Sequence, residues 1–132
     1  MRIFFDHNMS PFIARALHVL FHGEHEVKPL KDVFPQAITD VEWIARLSRD
    51  GHWVVISGDR RITRNKAEQA AFRSSRLTGF FLTPGLQKAP VIKQTERILA
   101  LWPSILATSE AVAPGAMYEL PMKSSKLRQL RP

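Results

Sequence analysis

The run Trp53-Val54-Val55-Ile56, closed at once by Ser57-Gly58-Asp59, constrains the fold more than any other stretch. Successive side chains of a strand point to opposite faces, so four apolar residues in a row need cover on both sides. That is the situation of a parallel strand inside a helix-covered α/β sheet. The flanking segments fit it. Residues 2 to 5 read as a first strand, and Ser10 caps a helix that starts at Pro11, carries Phe12, Ile13, Ala16, Leu17 and Leu20, and ends by Gly23. A short strand over 25 to 30, weakened by Pro29, leads into an expected loop over 31 to 38. Thr39-Asp40-Val41-Glu42 opens the next helix, with Trp43, Ile44 and Leu47 inward and Gly51 as its stop.

Beyond the central run, a helix is expected over about 64 to 75, then a strand over 79 to 83, then a long helix from Pro90 to about 107 that Pro103 should kink or end early. Alternating strands and helices predict a single α/β domain: a mostly parallel central sheet flanked by helices, with right-handed crossovers. The domain is expected to occupy residues 1–107. Residues 108–132 read as a C-terminal extension, with one edge-strand candidate at Met117 to Leu120 and a basic end. A chain of 132 residues is long enough to bury one core.

Composition narrows the function classes. There is no cysteine, which excludes disulfides, thiolate metal sites and cysteine nucleophiles. No apolar run approaches the length of a membrane span, and an acid as early as Asp6 does not suit a signal peptide, so a cytoplasmic protein without membrane contact is expected. The net charge of +7 favours a polyanionic partner, of which nucleic acid is the usual one. The surplus is concentrated. Residues 60 to 76 hold Arg60, Arg61, Arg64, Lys66, Arg73 and Arg76 against Glu68 alone, and the last thirteen residues hold four cations and no acid.

Ligands of an open parallel sheet sit outside the carboxyl ends of its strands. Asp6 directly follows the first strand and Asp59 follows the central one, so both fall on that edge, and Asp40 and Glu42 open a helix that begins nearby. Clustered carboxylates repel, and a hard divalent cation with oxygen ligands, Mg²⁺ or Mn²⁺, relieves the repulsion. Such an ion activates water and neutralises charge on a phosphoryl group. Each acid also has a local use: Asp6 and Asp59 in turns, Asp40 as a helix cap, Glu42 as the partner of Thr39 in a capping box. Asn8 is placed to hold the Asp6 loop or a metal-bound water and is expected to face the nucleic acid, and His7 to face solvent or touch phosphate. Arg60, Arg61, Arg64 and Lys66 would contact nucleic-acid phosphates beside Asp59. His22 and His25 read as surface histidines.

Three stretches together resemble the PIN-like domains, in particular the short branch found among VapC-type toxins. Phe4-Phe5-Asp6-His7-Asn8-Met9-Ser10-Pro11 is similar to that branch's opening, Asp40-Val41-Glu42-Trp43-Ile44 to its second acidic element, and Val55-Ile56-Ser57-Gly58-Asp59 to its third. The resemblance covers about residues 2 to 83. It implies a metal-dependent endoribonuclease, the toxin of a toxin–antitoxin pair, with Asp6 and Asp59 as metal ligands and Asp40 or Glu42 as the second acid. Glu42 is the preferred ligand of those two, its side chain being the longer, with Asp40 left to cap the helix. RNA and an antitoxin protein are the implied partners, and a homodimer is allowed.

One departure matters: relatives often carry a further aspartate two positions after the third acid, where this chain has Arg61. A catalytically degenerate PIN-like binding module is therefore the alternative. A receiver-type signalling domain fits less well, since Asp6 stands alone in the first loop and no lysine follows the strand at 79 to 83.

Overall fold

The computed structural model describes residues 1–58 and 60–131, so Asp59 lies outside the described residues, as does the side chain of Arg61. Six strands form one sheet in the order β2-β1-β3-β4-β5-β6. They are β1 (Arg2–Phe5), β2 (Glu26–Pro29), β3 (Val54–Ser57), β4 (Thr78–Leu82), β5 (Met117–Leu120) and β6 (Arg128–Leu130). The first five run parallel, and β6 pairs antiparallel with β5 at the edge. Pro29 is tolerated because β2 forms the other edge, where a missing N–H leaves no neighbour unpaired. β3 and β4 are buried along their whole length, as the apolar run requires.

Period-two alternation divides the core into two layers. Ile3, Phe5, Val54, Ile56, Phe80 and Leu82 face α1 (Pro11–Leu20) and α7 (Val91–Ala111). Phe4, Val55 and Phe81 face the other way, against Trp43, Ile44 and Leu47 of α3 (Asp40–Asp50). Ile62 of α4 (Arg61–Arg64) and Phe72 of α5 (Lys66–Arg73) complete that layer. Gly79 makes room for it: a Cβ there would come within 2.8 Å of the Phe72 ring.

The structure departs from the sequence expectations at several points. The segment after β2 contains a short helix, α2 (Leu30–Val33), rather than loop alone, and the helix expected over 64 to 75 is two, α4 and α5. Helix α7 continues through Pro103 to Ala111. Proline removes one N–H from the ladder, but Leu99, whose carbonyl loses that donor, and Pro103 are both on the exposed side, where water can take the bond.

Right-handedness does not hold for every crossover. β3–α4–α5–β4 and β4–α7–β5 advance in the same direction across the sheet, yet α5 and α7 lie on opposite faces, so their hands are opposite. The physical reason is coverage. Helices α3 to α5 already occupy one face, and only α1 covers the other until α7 crosses to it. Lastly, the boundary expected at residue 107 falls inside α7, and Met117 to Leu120 is an interior strand flanked by β4 and β6. The segment from Pro121 to Leu130 is tied down: Arg97 of α7 donates to the carbonyls of Pro121 and Ser124, and Arg73 donates to that of Leu130.

Candidate metal centre

Strand order 2-1-3-4-5 places a topological switch point between β1 and β3, where the chain departs toward opposite edges, and such a crevice is the usual ligand site of an open sheet. Asp6 stands there. Its N–H donates to the carbonyl of Ile56, which carries the β1–β3 pairing one residue further and leaves the carboxylate at the end of β1. The side chain is buried, with Oδ1 accepting the backbone N–H of His7 at 2.7 Å and Oδ2 accepting the Ser57 hydroxyl at 3.0 Å. Asn8 bridges the two strand ends: its Oδ1 accepts the N–H of Gly58 at 2.9 Å, and its Nδ2 donates to Ser57 Oγ at 3.3 Å.

Asp40, the first residue of α3, is buried with its carboxylate toward Asp6, and its Oδ1 accepts the Trp43 indole N–H at 2.9 Å. His7 is half-exposed at the mouth of the crevice, with Nδ1 2.9 Å from Asp6 Oδ1. One ligand atom from each of Asp6, His7 and Asp40 lies within 4.8 Å of the others. Burial raises the pKa of Asp6, and the charge of Asp40 raises it further, against the opposing pull of the His7 N–H and the Ser57 hydroxyl. A buried carboxylate held beside a second one is an environment that a cation relieves.

Glu42 is placed elsewhere. Its Oε1 accepts both the N–H and the hydroxyl of Thr39, and its own N–H donates to Thr39 Oγ1, so it closes the capping box. These bonds lower its pKa, and its carboxylate is not in the Asp6 group. Of the two acids that the sequence leaves open, Asp40 is the one beside Asp6. Glu68, half-buried in the first turn of α5, is also outside that group.

The basic residues separate. Arg60 pairs with Glu119 of β5 at 2.8 Å with only 17% of its side chain exposed, and Arg128 of β6 shares the same carboxylate. That guanidinium joins the loop after β3 to the far half of the sheet. Arg64 and Lys66 are exposed. Asn8, expected toward nucleic acid, is occupied in orienting Asp6 and Ser57. The sequence marks Ser57 only as part of the third motif, without a partner for a nucleophile, and leaves His7 to solvent or phosphate. For His7 the available signal was its place beside Asp6, and for Ser57 its place directly after the apolar run that ends at Ile56.

Residues 1–84 match the family described as PIN like domain. The chain belongs to that family. The match ends just past β4, so the PIN-like segment includes Asp6, His7, Asn8, Asp40 and Ser57, whereas α7, β5 and β6 lie beyond it. No curated protein and no solved structure matches the chain. PIN-like domains are generally nucleases and usually bind divalent metals. The donor set here fits such an ion. Two buried carboxylates and an imidazole, each offering one ligand atom within 4.8 Å of the others, would supply oxygen and nitrogen donors to a divalent cation. No helix among the described residues is long and apolar enough to cross a membrane.

Proposed function

We propose that this PIN-like domain is a divalent-metal-dependent endoribonuclease acting in the cytoplasm as the toxin of a toxin–antitoxin pair. The observation that carries the nuclease reading is the convergence of buried Asp6 and Asp40 with half-exposed His7 at the β1/β3 switch point. Asp6, His7 and Asp40 are the residues that would hold Mg²⁺ or Mn²⁺, with Asp59, the residue after Gly58 in sequence, proposed as a further carboxylate ligand. When bound, the cation supplies an activated water and neutralises charge developing on the phosphoryl oxygens.

The chain's own residues do the positioning. Ser57 and Asn8 fix Asp6 Oδ2, so the orientation of the buried carboxylate is set before any ligand arrives. Trp43 does the same for Asp40 through its indole N–H. Exposed Arg64 and Lys66 attract the RNA backbone, and the net charge of +7 suits both RNA and an acidic antitoxin.

The test is cleavage of a labelled RNA by the purified protein, with EDTA, with Mn²⁺ or Mg²⁺ restored, and with Asp6→Asn and Asp40→Asn. Metal-restored cleavage that both variants lose supports the reading. RNA binding without metal-dependent cleavage would favour the degenerate binding module, which Arg61 in place of a further acid also suggests. Co-purification with the product of an adjacent small gene, and growth arrest relieved by it, tests the toxin role.

A further inference from the structure

A cavity of about 510 Å³ opens beside the Asp6–His7–Asp40 group and shares Asp6 and His7 as part of its wall. The nuclease reading does not use the rest of it. Its size lies inside the range of small-ligand sites. Met9 and Pro11 line it from the junction of β1 and α1, and Pro29, Leu30 and Phe34 line it from the segment around α2. Phe34 is held in place by edge-on packing against Phe4, with ring centroids 5.9 Å apart, and remains partly exposed. Lys31 and Gln36, both exposed, add the polar groups.

We propose that this cavity receives one unpaired nucleobase of the RNA strand whose phosphate lies at the Asp6–His7–Asp40 group. The inference rests on the nuclease reading for the identity of that strand. An apolar lining that includes the Phe34 ring suits the faces of a base, and an aromatic ring is the usual stacking platform for single-stranded nucleic acid. The Gln36 amide offers a donor and an acceptor, the combination that reads a base edge. No ion pair among the described residues engages Lys31, and its ammonium matches an adjacent phosphate. A base still paired in a duplex does not enter a pocket of this kind, so the site selects single strands.

Nucleoside 5′-monophosphates and ribose 5-phosphate differ only by the base, and their binding to the full chain, followed by NMR of the Phe34 ring, tests the proposal without requiring cleavage. The expected result is a shift of the Phe34 ring signals by at least one of the four nucleotides, with affinity about tenfold above that of ribose 5-phosphate, a loss of one stacking contact. Phe34→Ala should remove that advantage. Gln36→Ala, at an exposed position that leaves the core untouched, should change the ranking of the four nucleotides even if Phe34→Ala fails to fold. Equal binding of ribose 5-phosphate, or an unmoved Phe34 ring, would overturn the base pocket while leaving metal-dependent cleavage intact. Base-dependent binding together with absent cleavage would retain the pocket and remove the nuclease reading.

Discussion

His7 Nδ1 and Asp6 Oδ1 lie 2.9 Å apart although one side chain is half-exposed and the other is almost wholly buried. The pair spans the wall of the crevice, with a carboxylate anchored among strand ends and an imidazole at its mouth. An imidazole nitrogen favours a transition metal over Mg²⁺, which prefers oxygen and water. Mn²⁺ should therefore bind more tightly than Mg²⁺, and His7→Ala should weaken Mn²⁺ by about tenfold or more while affecting Mg²⁺ less. Titration calorimetry with both ions measures this, and an unchanged Mn²⁺ affinity would remove His7 from the donor set.

Asp6→Asn removes the buried charge that the cation balances. The variant should lose RNA cleavage, and its metal-free fold should be no less stable than the wild type, because repulsion with Asp40 is relieved. Added Mn²⁺ at a hundred times its dissociation constant should stabilise the wild type by about 2.7 kcal/mol and leave Asp6→Asn unmoved. Thermal unfolding with and without the ion reads both effects.

Asp40 and Glu42 should separate cleanly. Asp40→Asn is expected to lower cleavage by at least about a hundredfold, the order seen when one charge-stabilising group is removed from a site. Glu42→Gln should keep cleavage, because glutamine also closes a capping box. Thr39→Ala, which removes the cap itself, should cost about 1 kcal/mol of stability with the metal affinity unchanged. Lost metal binding in Glu42→Gln would return that residue to the site.

Arg60 and its neighbours should differ in the same way. Arg60→Ala leaves the mostly buried Glu119 with Arg128 alone and should cost about 1–3 kcal/mol of stability. Its effect on the salt dependence of RNA binding should be small. Replacing Arg64 and Lys66 together should flatten that dependence by about 1.4 in log K against log salt, if each neutralises one phosphate of a single strand. Filter binding in EDTA across several salt concentrations decides between them.

Stability should also fall on mild acidification through His25. Its ring lies edge-on to Phe21 and Trp102, and burial lowers its pKa below the ordinary 6.5. The unfolded chain then binds the proton more readily than the folded one. Stability is full above about 6.5, falls as the pH drops from there through the folded pKa, and is flat below it. The depressed carboxylates Asp32 and Asp50 act later, below the ordinary carboxylate range. Urea unfolding of the wild type and His25→Phe at pH values from neutral to about 5 isolates the term, since the difference between them should shrink toward neutrality.

What the sequence determined by itself is whatever lies within a few residues along the chain. The fully apolar run of β3, the Ser10–Pro11 start of α1 and the Thr39–Glu42 box are local, because a cap or a strand face is set by groups one turn or two residues apart. The position of Asp6 at a strand end was legible for the same reason. The tertiary structure alone decided which acid faces Asp6, since that depends on how α3 packs across the sheet, and the capping box that turns Glu42 away leaves Asp40 inward. It also decided the partner of Arg60, a glutamate 59 residues later in the chain, and the inclusion of β5 and β6 in the sheet. Helix α7 crossed to the face of α1 because apolar strand surface remained there to be covered, a demand that no single segment of sequence expresses.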